Sequence, residues 1–101
     1  MPTDIEFQEI KNGRGFCAMH NGQKIGEINT LYVGNDRLII ESTTVNTTEY
    51  DMMDVCLYLV RCVANFARAQ HRKIITMCPR AQSVFNRYPE FDDLRFLRVE
   101  K

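Results

Sequence analysis

Ile74-Ile75-Thr76-Met77-Cys78-Pro79, followed by Ala81-Gln82-Ser83-Val84-Phe85-Asn86-Arg87-Tyr88-Pro89-Glu90-Phe91, decides how this chain folds. The first part is a short apolar run of the length of a buried strand, and Cys78-Pro79 stops it. Proline suits the first turn of a helix, where its missing N–H has no partner to lose. Ala81, Val84, Phe85 and Tyr88 then mark one helical face. Pro89 is expected to end that helix, because a proline pushes the residue before it out of helical geometry. A Pro-Glu-aromatic turn closes the segment.

Upstream the apolar residues keep a helical period. Met52, Cys56, Leu59, Val63 and Phe66 repeat at three and four, and Met53, Val60 and Ala67 widen the stripe. This predicts a helix with one buried face from about Tyr50 to Gln70, roughly 30 Å long, enough to cross a sheet. Thr47 or Thr48 is expected to cap it, with Glu49 and Asp51 favouring its positive end. A strand, helix, strand order implies a right-handed crossover, so the strand at Lys73–Met77 should run parallel to the one before the helix.

The first half is punctuated by turns. Lys11-Asn12-Gly13-Arg14, His20-Asn21-Gly22-Gln23 and Gly34-Asn35-Asp36 separate four strand-like runs at Ile5–Ile10, Gly15–His20, Lys24–Val33 and Arg37–Val45. Asn-Gly supplies the positive φ angles of a two-residue hairpin, and an antiparallel meander is the simple reading. Leu94–Val99 alternates loosely, so residues 95–101 are either a tail or one more edge strand. The class is α+β, and 101 residues support one domain with its core over about 5–94.

Composition excludes several functions. An apolar fraction of 45% with 26% charged residues is that of an ordinary soluble globule. Zero net charge leaves no global field to draw the chain to nucleic acid or an acidic membrane, and no basic stripe is interleaved with aromatics. No apolar run is long enough to span a bilayer, and Met1–Glu6 shows no signal-peptide pattern. The expected compartment is the cytoplasm, where Cys17, Cys56, Cys62 and Cys78 stay reduced. Their spacing, and that of His20 and His71, matches no metal site.

The order of elements, with local matches at Asn21-Gly22-Gln23-Lys24-Ile25-Gly26-Glu27-Ile28, Leu38–Val45, Phe66-Ala67-Arg68, Lys73–Pro79 and Phe85–Leu94, resembles the small one-domain branch of the GNAT (GCN5-related N-acetyltransferase) superfamily over about Ile5 to Leu94. The resemblance implies a reduced GNAT fold: four antiparallel strands, a long helix, a parallel fifth strand and a short C-terminal helix. It also implies acetyl-CoA as the acetyl donor and an amine of a small molecule or protein as the acceptor.

In that family a loop before the long helix reads Arg-Gly-Gln-Gly-x-Gly or Ala. Its bare backbone N–H groups, a helix N-terminus and an arginine make an anion hole for the CoA pyrophosphate. The matching residues here are Asp51-Met52-Met53-Asp54-Val55-Cys56. By the resemblance, Met53, Asp54, Val55 and Cys56 stand where the cofactor is held. Yet the arginine is an aspartate, and two glycines are Met52 and Asp54. Glu49, Asp51 and Asp54 would surround a site meant for a diphosphate. A like-charge pair near ~6 Å costs about 0.7 kcal/mol at water's dielectric and about 3 kcal/mol at an effective value of 20. CoA binding is therefore expected to be weak or absent.

The same resemblance sets the backbone N–H groups of Thr43, Thr44 and Val45 toward the acetyl carbonyl. It puts Cys78 beside the thioester as acyl carrier or wall, and makes Glu41 the candidate base and Tyr88 a candidate acid. Each residue has a plainer role: a buried thiol, an exposed strand carboxylate, a core tyrosine. His20, near a hairpin tip, is read as a surface residue. Arg80, Arg87, Arg68, Arg72 and Lys73 are cations for a CoA 3′-phosphate or a partner's carboxylates, or simply a solvated surface. Two functions follow: an acetyltransferase, or a non-catalytic module for binding or self-association through an unpaired edge strand, with a homo-oligomer as one form.

Overall fold

The computed structural model describes residues 5–10 and 14–96. The elements are β1 (Ile5–Ile10), β2 (Gly15–His20), β3 (Gln23–Val33), β4 (Arg37–Val45), α1 (Met52–Ala69), β5 (Lys73–Thr76), α2 (Pro79–Arg87) and a 3₁₀ helix at Pro89–Leu94. The strands lie in chain order in one sheet. Consecutive pairs from β1 to β4 are antiparallel. β5 runs parallel to β4, from Arg37 opposite Lys73 to Ile40 opposite Thr76, as the crossover through α1 requires.

Local chemistry explains these elements. Asn21 and Gly22 take φ values of 52° and 79°, the left-handed pair a tight hairpin needs. α1 turns Val55, Cys56, Leu59, Val60, Val63, Ala64 and Ala67 inward. They meet Ala18, Ile28, Leu38, Ile40 and Ile74 of the sheet, and Val84, Phe85 and Phe91 from the C-terminal segment, in one core. Each Val, Leu, Ile or Phe among them contributes about 1.5–3 kcal/mol by leaving water. Gly26 lets the helix approach: a Cβ there would lie 3.2 Å from Val55 and 3.3 Å from Leu59. α1 ends where His71 adopts a φ of 57° and Arg72 N–H returns to the Ala67 carbonyl.

Some boundaries differ from the expectation. Neither Thr47 nor Thr48 caps α1. The N-cap is Asp51, with no side-chain capping bond. Thr47 Oγ1 instead accepts the Glu49 N–H at 3.1 Å, a local turn that competes with capping. α2 does end before Pro89 as expected, at Arg87 with Tyr88 extended; the difference is that Pro89 also opens a 3₁₀ helix. Of the further edge strand expected over Leu94–Val99, the described part is a single parallel bridge between Arg95 and Ile74. Phe96 N–H also donates to the Ile74 carbonyl at 2.9 Å; residues 97–99 lie outside the described residues, as do Lys11-Asn12-Gly13 of the first turn.

The feature that shapes the site is a bulge in β4. Asn29 faces Ser42 while the next residue, Thr30, faces Ile40, so Glu41 is the extra residue. The buried phase changes across it: Leu38 and Ile40 point inward before Glu41, and Thr43 after it. Pairing with β5 stops at the same place, the last bond running from Met77 N–H to the Ile40 carbonyl at 3.0 Å. Beyond the bulge, among the described residues, the outer edge of β4 has no strand beside it. That split is a notch, and α2 begins in it.

Candidate functional site

Cys78 is the N-cap of α2 and is buried, with 5% of its surface exposed. It sits at the notch because β5 ends at Thr76 and Pro79 starts the helix. Burial pushes its thiol up. The Ala81 N–H, the Thr43 hydroxyl and the N–H groups of Arg80 and Thr43 push the other way and prevail, so the thiol lies below its ordinary value. Among the described residues the Cys78 side chain makes no capping bond, and Thr43 Oγ1 is a buried oxygen without a partner. A neutral thiol accepts hydrogen bonds poorly, whereas a thiolate would draw these dipoles in.

The β4 edge has a definite polarity. Arg80 Nη1 donates to the Thr43 carbonyl at 3.1 Å, which places that carbonyl on the notch side. The N–H and C=O of one strand residue point the same way, so the Thr43 N–H faces the notch, and by alternation so does that of Val45. Asn46 N–H goes to the Ile25 carbonyl of β3 at 2.8 Å, and Thr44, two residues earlier, is turned to the same side. Of the three expected carbonyl donors, the structure brings Thr43 and Val45 to the notch and Thr44 to β3.

At the start of α1, Val55 N–H donates to the Asp51 carbonyl at 3.2 Å and is already used. The N–H groups of Met52, Met53 and Asp54 precede the first intrahelical bond. The side chains of Asp51, Met52 and Asp54 are exposed around them, and Met53 is half-buried. Cys56 is fully buried. Burial raises its thiol, the Arg80 guanidinium opposes this, and Cys78 and Asp51 add to the rise. Cys56 is thus a protonated packing residue, and these couplings gather Cys56, Cys78, Arg80 and Asp51 at one end of the molecule.

The other candidates fall elsewhere. Glu41 is exposed at the bulge and makes no ion pair among the described residues. Tyr88 is the C-cap of α2, the opposite end from Cys78, about 15 Å along the helix; it packs against the core. Arg68 pairs with Asp93 and Lys73 reaches the Asp93 carbonyl, which fastens the 3₁₀ helix. Arg72 donates to the carbonyls of Gly34 and Arg37 and lies over the Tyr32 ring. Arg87 lies over the ring of Tyr88. Only Arg80 of this group is directed into the notch.

The sequence reading missed one pairing. His20 is half-buried, its Nδ1 is 3.2 Å from Glu49 Oε1, and its ring meets Tyr50 edge-on. The two face an open hollow of about 850 Å³ walled also by Lys24, Asn46 and Thr47. Glu49 thus has His20 as a partner. Nothing in the linear sequence links the two residues. Among the described residues no cluster of three or more His, Cys, Asp or Glu side chains could hold a metal, and no helix is long and apolar enough to cross a membrane.

The family model for GCN5-related N-acetyl-transferases matches residues 15–94. Among solved structures, the NMR solution structure of a GCN5-like candidate N-acetyltransferase from Staphylococcus aureus superposes with a TM-score of 0.74. It is 22% identical, and the match covers 98% of this chain and 94% of that one, a likeness of fold. No curated protein matches the chain.

Proposed function

The chain belongs to the GCN5-related N-acetyltransferase family, and from that premise we propose that it moves an acetyl group from acetyl-CoA to an amine of a small molecule or protein, with Cys78 as acyl carrier and the nucleotide held weakly. The placement of the buried Cys78 as N-cap of α2, at the point where β4 parts from β5, carries this reading.

Two ends of the donor meet different surfaces. The thioester end fits: a thiol with a lowered proton affinity lies beside the notch-facing N–H groups of Thr43 and Val45. The diphosphate end does not fit. Free amides remain at Met53 and Asp54, but the carboxylates of Asp51 and Asp54 are exposed beside them. Bound acetyl-CoA would supply the activated acetyl group. With its proton given up to water, the Cys78 thiolate would take the acetyl carbon as the thioester C–S bond breaks, and the departing CoA thiolate would take a proton back from water. The Val45 N–H faces the side on which the carbonyl oxygen gains charge. A neutral amine then attacks the acetyl-cysteine, loses its proton to solvent, and returns Cys78 as thiolate.

Release of free CoA in the presence of a panel of primary amines tests this. The wild type should release CoA together with acetyl-amine, and Cys78→Ala should do neither. Equal rates in the two proteins would remove Cys78 from the reaction. The altered loop at Asp51, Met52 and Asp54 favours a second reading, a non-catalytic module on the same scaffold. A wild type with no turnover and no thermal shift at millimolar acetyl-CoA would select it. A single domain over residues 1–101 and a cytoplasmic setting that keeps the four free thiols reduced complete the proposal.

A further inference from the structure

Arg80 is the second residue of α2. A cation there opposes the helix dipole, whose positive end is the N-terminus, so helix stability does not explain it. The hydrogen bond it makes among the described residues does. Arg80 Nη1 donates to the Thr43 carbonyl, on the stretch of β4 that has left β5. The guanidinium stands where a strand would otherwise pair. Because a strand residue directs its N–H and C=O to the same side, the bond that fixes this carbonyl also fixes the Thr43 N–H toward the notch. Thr43 Oγ1, buried and without a partner, is held in the same place.

We propose that Arg80 is a positioning residue for Cys78: by tying the Thr43 carbonyl to α2, it keeps the Thr43 N–H and hydroxyl facing the sulfur and so sets the reactivity of that thiol without touching it. This deepens the proposed function and rests on Cys78 as the reacting group. The groups around the sulfur are the Ala81, Arg80 and Thr43 N–H groups and the Thr43 hydroxyl. Cys56 and Asp51 face the same region from α1. Arg80 itself is exposed, so a purely through-space effect of its charge would be screened by salt.

The test is the pH profile of alkylation at each cysteine, read by peptide mass spectrometry, in the wild type and in Arg80→Met, Arg80→Gln and Arg80→Lys. Arg80→Met and Arg80→Gln should move the Cys78 midpoint up by about half to one pH unit, and Arg80→Lys should restore most of it. The displacement should persist in half-molar salt, and the half-buried Cys62 thiol, raised in proton affinity, should stay slow, reporting an intact fold. Coincident Cys78 profiles in all four proteins would overturn the proposal, and so would a displacement that vanishes in salt. The two readings separate cleanly. An Arg80-dependent profile without CoA turnover sinks acetyl transfer alone, and turnover with coincident profiles sinks the positioning role alone.

Discussion

Replacing Asp51 and Asp54 together by asparagine isolates the electrostatic part of the altered cofactor loop. Both carboxylates are exposed and flank the N-terminus of α1, where the amides of Met52, Met53 and Asp54 are left without intrahelical partners. Each carboxylate set ~6 Å from a diphosphate costs about 0.7 kcal/mol at water's dielectric, and exposed groups belong near that limit. Removing two returns about 1.4 kcal/mol, close to a tenfold gain in affinity. Arg80 adds attraction in wild type and variant alike, so it does not enter the difference. The same change should weaken α1, because acids in the first turn complement the dipole by about 0.3–1 kcal/mol each. The assay is isothermal titration of CoA into both proteins at low salt, with thermal melts alongside. The reasoning predicts tighter CoA and a lower melting temperature. An unchanged affinity, with the melting temperature lowered as expected, would refute it: the charges would then serve the helix and not the ligand.

The remaining predictions concern the scaffold. Gly26→Val pushes a side chain against Val55 and Leu59 and should cost about 1–3 kcal/mol, read as a lower urea midpoint at constant slope. The hydrogen bond from Arg61 holds the Glu90 carboxyl below its ordinary 4.5, and that from Arg68 holds Asp93 below 3.8. Their contribution is complete above those ordinary values and is lost as the pH falls through the lower folded ones. Acid melts of Arg61→Ala should therefore converge with wild type at low pH, and the gap at neutral pH should stay under about 1 kcal/mol because the pair is exposed. The Cys62 thiol is half-buried and lifted to about 11, whereas the more deeply buried Cys78 lies below its ordinary value, so at pH 8 Cys62 should alkylate more slowly than Cys78 despite its greater exposure; equal rates would show that proton affinity does not control the reaction.

Much of the fold was legible because its determinants are local. The apolar stripe from Met52 to Ala67 identified α1. The handedness of the crossover made β5 parallel, and Asn21-Gly22 placed the hairpin. The cap was misplaced because Thr47, Thr48 and Asp51 are all competent N-cap residues, and only the backbone path decides between them. The bulge at Glu41 has no composition of its own: it exists as a register difference against β3, which no single strand records. Since the bulge opens the notch, the site inherited that uncertainty. Cys78 could be singled out because a Cys-Pro at a strand end is visible in one dimension. The Arg80 bond to a backbone carbonyl and the His20–Glu49 pair join residues far apart in sequence, and they emerge only once the strands are set side by side.

Exposing the protein to acetyl-CoA without any amine, quenching in acid and locating the label by peptide mass spectrometry tests the central claim most directly. The account predicts one acetyl group on the peptide containing Cys78, labile to hydroxylamine, with Cys56 and Cys62 unmodified. Acetyl found only on lysines, or none at all at millimolar donor, would contradict it.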